Sequence, residues 1–125
     1  MLEVAIIADD FTGANATGIL LKKKGLKVTT LLKPNSNIDQ VNAEVISIST
    51  NSRSIDPKEA YKRVYEATKT VIKSTPYVAK RIDSTLRGNL GAEIDAVLDA
   101  AGEGYRAAVV PVYPKSGRVC VGGYL

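Results

Sequence analysis

Short apolar segments that alternate with helical patterns constrain the fold of this chain more than any other feature of its sequence. The segments predicted as strands are 4–8, 27–32, 44–49, 77–82 and 106–112. The first is a continuous apolar run, as expected for a parallel strand that is buried on both faces. Helical patterns follow the first, third and fourth strands. This alternation indicates an α/β domain with a mostly parallel sheet.

The predicted helices are 12–24, 57–71 and 89–101. Thr12 can cap the first of them. The second has the strongest start signal, because Asp56 is a typical N-cap residue, Pro57 suits the first helical position and Glu59 can complete a capping box. No long helical pattern separates the second and third strands, so segment 33–42 is predicted as a loop or a short helical turn.

We therefore predict a three-layer α/β domain with a mostly parallel, five-stranded, Rossmann-like sheet and helices on both faces. A length of 125 residues suits a single domain. Segment 111–125 contains two prolines and three glycines and shows no closing helix. A doubly wound sheet is normally covered on both faces, so we expect the domain to be truncated at its C-terminus.

The absence of histidine and the single cysteine exclude several kinds of site. The chain cannot supply a Ser-His-Asp or Cys-His catalytic system, nor a zinc site built on histidine or on four cysteines. A general base would be Asp, Glu, Lys or Tyr. Cys120 cannot form an internal disulfide, which fits a reducing compartment. The N-terminus lacks the features of a signal peptide and no apolar run is long enough for a membrane span, so we expect a soluble, cytoplasmic protein with no membrane partner.

A net charge of +4 suits an anionic small ligand, nucleic acid or an ordinary solvated surface. The densest cluster of lysines lies near the end of the first predicted helix, where cations complement the helix dipole. No aromatic residues are interleaved with these lysines, as they are on surfaces that stack bases. We therefore predict a solvated face and no nucleic-acid partner.

Polar side chains follow four of the predicted strands, at the ends that meet on one edge of the sheet, where open α/β sheets bind ligands. The candidate ligand-binding residues are Asp9, Asp10, Asn51, Ser52, Arg53, Asp83, Ser84, Thr85, Arg87, Gly88, Asn89, Lys115 and Arg118. The cations can hold a carboxylate or a phosphate, and the carboxylates and amides can bind hydroxyl groups. A ligand with both is a polyhydroxy acid or a sugar phosphate. Alternatively, these charges pair with each other and hold the loops.

Two glycine-containing segments have different interpretations. In segment 82–89, Gly88 permits close backbone approach, and the helix N-terminus that follows favours an anion. Segment 13–18 reads GANATG, which does not match the dinucleotide fingerprint. Its small residues instead predict close packing of a helix on the sheet.

A phospho-acceptor receiver domain is an alternative of similar length. The acidic pair Asp9-Asp10, the hydroxyl residues at 84–85 and Lys115 match its outline. However, the acceptor aspartate should end the third strand, where this chain has Thr50-Asn51. A receiver-like domain would therefore lack its phosphorylation chemistry.

The chain resembles the N-terminal sugar-binding domain of the four-carbon acid sugar kinase family. The segments that carry the resemblance are ADDFTGAN at 8–15, NSR at 51–53, KRIDSTLRGN at 80–89, GAE at 91–93, PVYP at 111–114, GR at 117–118 and GG at 122–123. They occur in the family's order and span nearly the whole chain. Asn51 is a departure, because the family often has Asp before Ser-Arg.

The resemblance implies ATP-dependent phosphorylation of a four-carbon sugar acid such as threonate, erythronate or 3-oxo-tetronate. The sugar acid would bind to this domain, residues 1–125, and ATP with Mg²⁺ to a C-terminal domain that the chain lacks. The chain alone is then expected to be inactive and to bind no cofactor or metal tightly. Its expected partners are the sugar acid, the missing domain and a second copy in a homo-oligomer.

Catalytic roles fall to two aspartates under this resemblance. Asp10 or Asp83 would accept a proton from the reacting hydroxyl or orient it, and the sequence does not choose between them. Arg87 and Arg118 would clamp the substrate carboxylate. A non-catalytic module that binds or senses a sugar acid is the alternative function.

Overall fold

The computed structural model describes residues 1–34 and 37–125, in which four strands form one parallel sheet. The strands are β1 (Val4–Ala8), β2 (Val28–Leu31), β3 (Val45–Ser49) and β4 (Tyr77–Arg81), in the order β2-β3-β1-β4. Strand β1 lies between β3 and β4, and its Val4 is in register with Val45 of β3 and with Tyr77 of β4. This position between two neighbours explains why β1 is a continuous apolar run, and its residues 5–8 are fully buried.

Three helices cover the two faces of the sheet, namely α1 (Phe11–Lys22), α2 (Pro57–Val71) and α3 (Leu90–Ala101). On one face, the Ser47 hydroxyl of β3 donates to the carbonyl of Ala14 in α1 at 2.9 Å. Side chains alternate along a strand, so Ile46 and Ile48 face the opposite side, where they form the main core with α2 and α3. The three-layer α/β architecture is thus confirmed.

Small residues bring α1 close to the sheet, as the sequence predicts. A Cβ atom added at Gly18 would lie 3.1 Å from Cγ1 of Val28 and 4.0 Å from Cβ of Ser47. The absence of a side chain at this position therefore sets the distance between α1 and the strands that it covers.

The predicted fifth strand is wrong, because residues 106–112 form no strand. Residues 102–110 are exposed, and a groove of about 530 Å³ is lined by β4, α3 and residues 105–110. In the described residues β4 pairs only with β1. The β-favouring composition of 106–112 is a local preference, whereas a strand also requires a neighbour at hydrogen-bonding distance.

The helix ends differ in detail from prediction. Asp10, rather than Thr12, caps α1, because Oδ1 of Asp10 accepts a hydrogen bond from the amide of Gly13 at 2.7 Å. Asp56 caps α2 as predicted, but Glu59 does not close a capping box and instead contacts Arg63 at 3.0 Å.

Within 33–42, the structure has a 3₁₀ turn, Ile38–Gln40, and residues 35–36 lie outside the described part. Across 1–34 and 37–125, no helix has the length and apolar character of a membrane span.

Candidate functional site

The candidate site lies where the carboxyl ends of β1, β3 and β4 meet. Loops 9–10, 50–53 and 82–89 leave these strands, and the helices that follow them lie on opposite faces of the sheet. Ligand sites of open α/β sheets form at such places, because the diverging chain leaves a crevice above the strand ends.

The carboxylates of three aspartates converge on Arg53 at this edge of the sheet. Its Nε and Nη2 atoms donate to Oδ2 and Oδ1 of Asp9 at 2.7 and 3.0 Å, a bidentate pair. Its Nη1 atom lies 2.6 Å from Oδ2 of Asp10, and Nη2 lies 3.8 Å from Oδ1 of Asp83. The hydrogen bond to Asp9 and the charges of the three carboxylates raise the pKa of Arg53 above its ordinary value, against the effect of burial.

Backbone hydrogen bonds between β1 and the loop after β3 position Arg53. The amides of Ser52 and Arg53 both donate to the carbonyl of Asp9, at 2.9 and 3.3 Å. Asn51 precedes them with φ +47°, in the left-handed region that Asn and Asp tolerate better than most residues. The departure at Asn51 is therefore compatible with the local backbone, and its carbonyl accepts a hydrogen bond from Arg63.

Asp83 organises the loop that follows β4. Its carboxylate binds Nε and Nη2 of Arg87 at 2.9 and 3.0 Å, and it also accepts from the amide of Thr85 at 3.1 Å and from the Thr85 hydroxyl at 2.5 Å. The hydrogen bond from Arg87, helped by those from Thr85, holds the pKa of Asp83 far below its usual range. The same hydrogen bond raises the pKa of Arg87. Asp83 is therefore ionised throughout the neutral pH range.

Gly88 and Asn89 bring this loop against the Arg53 loop. Gly88 has φ +98°, and a Cβ atom there would lie 3.2 Å from Oδ2 of Asp9 and 3.5 Å from Cγ of Arg53. The Asn89 side chain donates to the carbonyls of Ser52 and Ile55, both at 3.0 Å. The absence of a side chain at Gly88 thus allows the loop after β4 to lie close to Asp9 and Arg53.

The candidates beyond α3 are arranged differently. Nη1 of Arg118 donates to the Ser84 hydroxyl at 2.9 Å, which ties the C-terminal segment to the loop after β4. Lys115 lies in the exposed 3₁₀ turn Pro114–Ser116. The structure therefore brings Arg118, but not Lys115, into contact with the other candidates.

Three charged residues near the site were not among the predicted site residues. Nη1 of Arg81 lies 3.9 Å from Oδ1 of Asp83 and is buried with no hydrogen-bond partner in the described part of the chain. Lys80 and Glu93 form an ion pair of 2.7 Å beneath Ser52, which is itself fully buried. All three residues occur within the segments that carry the family resemblance, which was the only signal for them.

The arrangement joins both interpretations of these charges. The carboxylates and guanidinium groups pair with each other, as in a structural network, yet they do so at the sheet edge where a ligand would bind. Asp9, Asp10 and Asp83 converge on a guanidinium group, and the described residues contain no group of three or more side chains suited to a metal ion.

A family model described as "Sugar-binding N-terminal domain" matches residues 4–125 of this chain. The chain belongs to this family. The resemblance seen in the sequence is thereby confirmed, and the match extends over the whole of the site.

Curated relatives of this sugar-binding domain are named as kinases of four-carbon sugar acids. A D-erythronate kinase of Heliobacterium modesticaldum is 55% identical over all of this chain and 29% of its own length. A D-threonate kinase of Salmonella typhimurium is 36% identical over 98% of this chain, and a 3-oxo-tetronate kinase of Brucella melitensis is 32% identical over 99%. The chain spans about 29% of the length of each of these relatives.

A solved structure supports the fold. The crystal structure of a domain of unknown function from Bordetella bronchiseptica, described as a domain-swapped dimer with bound citrate, has a TM-score of 0.89 and 30% sequence identity to this sugar-binding domain. The similarity covers 96% of this chain and 32% of that chain.

Proposed function

We propose that this chain, residues 1–125, is an incomplete N-terminal acid-sugar-binding domain of an ATP-dependent kinase that phosphorylates a four-carbon sugar acid. The observation that carries the proposal is the convergence of three carboxylates and three arginines at the sheet edge in a member of the sugar-binding family. Relatives named for erythronate, threonate and 3-oxo-tetronate point to this class of substrate.

Arg87 and Arg118 are the residues best placed to bind the substrate carboxylate. The Arg87 side chain is 66% exposed, so part of its guanidinium group remains open to a ligand while two of its nitrogens hold Asp83. Arg118 reaches the same loop through Ser84. Arginine suits this role because its planar fork matches a carboxylate. The bound citrate of the Bordetella structure is a carboxylate ligand in a protein of the same fold.

Of the two aspartates, Asp10 is the better candidate to orient the reacting hydroxyl. Both oxygens of Asp83 are bound to Arg87 and its pKa is strongly lowered, so Asp83 is a poor proton acceptor. The Asp10 side chain is 28% exposed compared with 6% for Asp83. Asp83 would then serve to hold Arg87 and to complete the charge balance around Arg53.

ATP and Mg²⁺ are proposed to bind to a C-terminal domain outside this chain. The carboxylates of Asp9, Asp10 and Asp83 are engaged by guanidinium groups, and the described residues contain no group of three or more side chains suited to a metal ion. When bound, the nucleotide would supply the phosphoryl group, whose transfer depends mainly on positioning and charge stabilisation. The contribution of this chain is to bind the sugar acid and to orient its hydroxyl.

The further partners follow from the same proposal. The domain-swapped dimer of the Bordetella protein makes a second copy a reasonable partner for this chain. Because ATP is supplied in the cytoplasm and the lone thiol fits a reducing compartment, we propose a cytoplasmic location.

Titration calorimetry of the chain with D-erythronate, D-threonate, erythritol and ATP tests the proposal. We expect binding of at least one acid and none of erythritol, which lacks the carboxylate. Arg87→Met should weaken that binding at least tenfold, whereas Arg106→Met, at an exposed arginine, should leave it within twofold. Tight ATP binding with no response to any sugar acid would contradict the assignment. Binding without phosphorylation in a longer protein that contains this domain would favour a sensor module.

A further inference from the structure

A buried network of polar side chains lies beneath the candidate site and joins two of its loops. The Ser52 hydroxyl donates to Oε1 of Glu93 at 2.6 Å and also lies 2.7 Å from the hydroxyl of Thr50. The other carboxylate oxygen of Glu93, Oε2, pairs with Nζ of Lys80 at 2.7 Å. Nζ of Lys80 also donates to the carbonyl of Arg81 at 2.9 Å. Glu93 of α3 thus links Ser52 to Lys80 through its two carboxylate oxygens.

Burial of this polar network costs free energy, because its charged and polar groups are removed from water. Glu93 is 2% exposed, the Lys80 side chain is 9% exposed and Ser52 is fully buried. A buried ion pair contributes little net stability, because the cost of removing both charges from water offsets their attraction. A role in stability alone therefore gives a weak account of Glu93, and a role in geometry gives a better one.

The two ends of this polar network, Ser52 and Lys80, lie next to charged residues of the site. Ser52 directly precedes Arg53 in the loop after β3, and Lys80 lies at the end of β4, three residues before Asp83. Arg53 and Asp83 approach each other to 3.8 Å between Nη2 and Oδ1. Since β3 and β4 are separated by β1, they share no direct hydrogen-bond ladder. The side chain of Glu93, which extends from α3, spans the gap between the loop that follows β3 and the end of β4.

We infer that Glu93 is a positioning residue, which sets the spacing of Arg53 and Asp83 through Ser52 and Lys80 and does not itself contact the ligand. Its effect on sugar-acid binding rests on the proposed function, whereas its effect on Arg53 does not. Loss of the Glu93 charge should therefore make the Arg53 guanidinium group more mobile in the free protein. As a consequence, it should lower the affinity for the sugar acid.

Hydrogen exchange of the Arg53 Nε–H group, observed by NMR on the ¹⁵N-labelled chain, tests the inference without any ligand. In the wild type this group donates to Asp9 at 2.7 Å and should be protected. Glu93→Gln, which keeps the size of the side chain, should accelerate its exchange at least tenfold. Asp95→Asn removes an exposed carboxylate from the same helix and should leave the exchange within twofold. An Arg53 Nε–H that exchanges within twofold of wild type in Glu93→Gln overturns the inference.

Ligand binding provides the second readout and separates positioning from general destabilisation. At a temperature where every variant is folded by circular dichroism, Glu93→Gln should raise the Kd for D-erythronate at least tenfold. Val64→Ala, which destabilises the core at a fully buried site, should leave that Kd within twofold. Equal weakening by both variants would show that Glu93 acts only through stability. If the wild type binds no sugar acid, the proposed function fails while the exchange measurement still decides the role of Glu93.

Ser52→Ala covers the case in which Glu93→Gln does not fold, because it leaves the Lys80–Glu93 pair intact and removes the link from Glu93 to the Arg53 loop, together with the contact to the Thr50 hydroxyl. It should accelerate exchange of the Arg53 Nε–H at least fivefold. An unchanged exchange rate in this variant would also refute the link from Glu93 to Arg53.

Discussion

Replacing Arg53 by methionine removes the cation on which three carboxylates converge. Methionine retains much of the length and apolar character of the arginine side chain, so the change is mainly one of charge and hydrogen bonding. Two carboxylates that face Arg53 are nearly buried, since the side chains of Asp9 and Asp83 are 4% and 6% exposed. The variant therefore leaves Asp9 in a buried position without its bidentate partner.

The magnitude follows from this burial. Breaking a buried ion pair by removing one partner costs about 3–5 kcal/mol. The contact with Asp10, whose side chain is 28% exposed, is screened by solvent and adds at most about 1 kcal/mol. Asp83 retains Arg87, so its loss is smaller. We expect a decrease of about 3–5 kcal/mol in the free energy of unfolding, a large share of the roughly 5–15 kcal/mol typical of a domain.

Urea denaturation followed by circular dichroism measures this loss. With a denaturant slope of about 1.5 kcal/mol per molar, the midpoint should fall by about 2–3 M. Arg106→Met is the matched control at an exposed position and should change the free energy of unfolding by less than about 0.5 kcal/mol. A loss below about 1 kcal/mol for Arg53→Met would refute the reasoning, because a buried Asp9 left unpaired should cost more than that.

Three further predictions concern the glycine at the site, the acid limb of stability and a helix cap. Gly88→Ala should destabilise by about 1–3 kcal/mol in urea, because φ is +98° and its Cβ would crowd Asp9. Because the pKa of Asp83 is lower in the folded than in the unfolded state, its stabilising contribution is complete above about pH 5 and declines as the pH falls through about 4 and below. Circular dichroism melts at pH 2–7 should show that decline. Asp56→Ala should cost about 1 kcal/mol in urea, because Asp56 accepts from the amide of Lys58 at 2.9 Å.

Each of these has a control or an opposing result. Gly102 has φ +94° and no atom within 4 Å of an added Cβ, so Gly102→Ala carries the backbone strain without the crowding. Equal losses at Gly88 and Gly102 would show that contact with Asp9 is unimportant. Asp83→Asn should flatten the acid limb, and an unchanged limb would assign it to other carboxylates. An Asp56→Ser variant should retain most of the cap, and a loss as large as that of alanine would contradict the capping role.

The local patterns were sufficient for much of the fold. The apolar run 4–8, the Asp56-Pro57 start and the helical spacing of apolar residues each reflect interactions within a few residues, and the corresponding elements are present. The prediction failed at 106–112, where β-favouring residues meet no hydrogen-bonded neighbour in the described structure. Strand formation there depends on a partner from elsewhere, which composition does not specify.

The candidate site shows the same division. Sequence reasoning located the strand-end loops and their charges, because the carboxyl ends of parallel strands meet at one edge. It did not reveal that Arg53 is held by Asp9 and Asp10, nor that Asp83 is bound by Arg87 and nearly buried, whereas the Asp10 side chain is 28% exposed. These distinctions depend on how the loops pack against each other.

The sequence by itself determined the class of fold, the edge of the sheet that carries the polar residues and the family to which they belong. Only the tertiary structure decided the partners of each charge and the burial of Glu93 and Lys80 between helix and sheet. The physical reason is range. Helix caps and strand patterns arise from neighbours in the chain, whereas the Ser52–Glu93 contact joins residues that are 41 positions apart and exists only after β3 and α3 have packed.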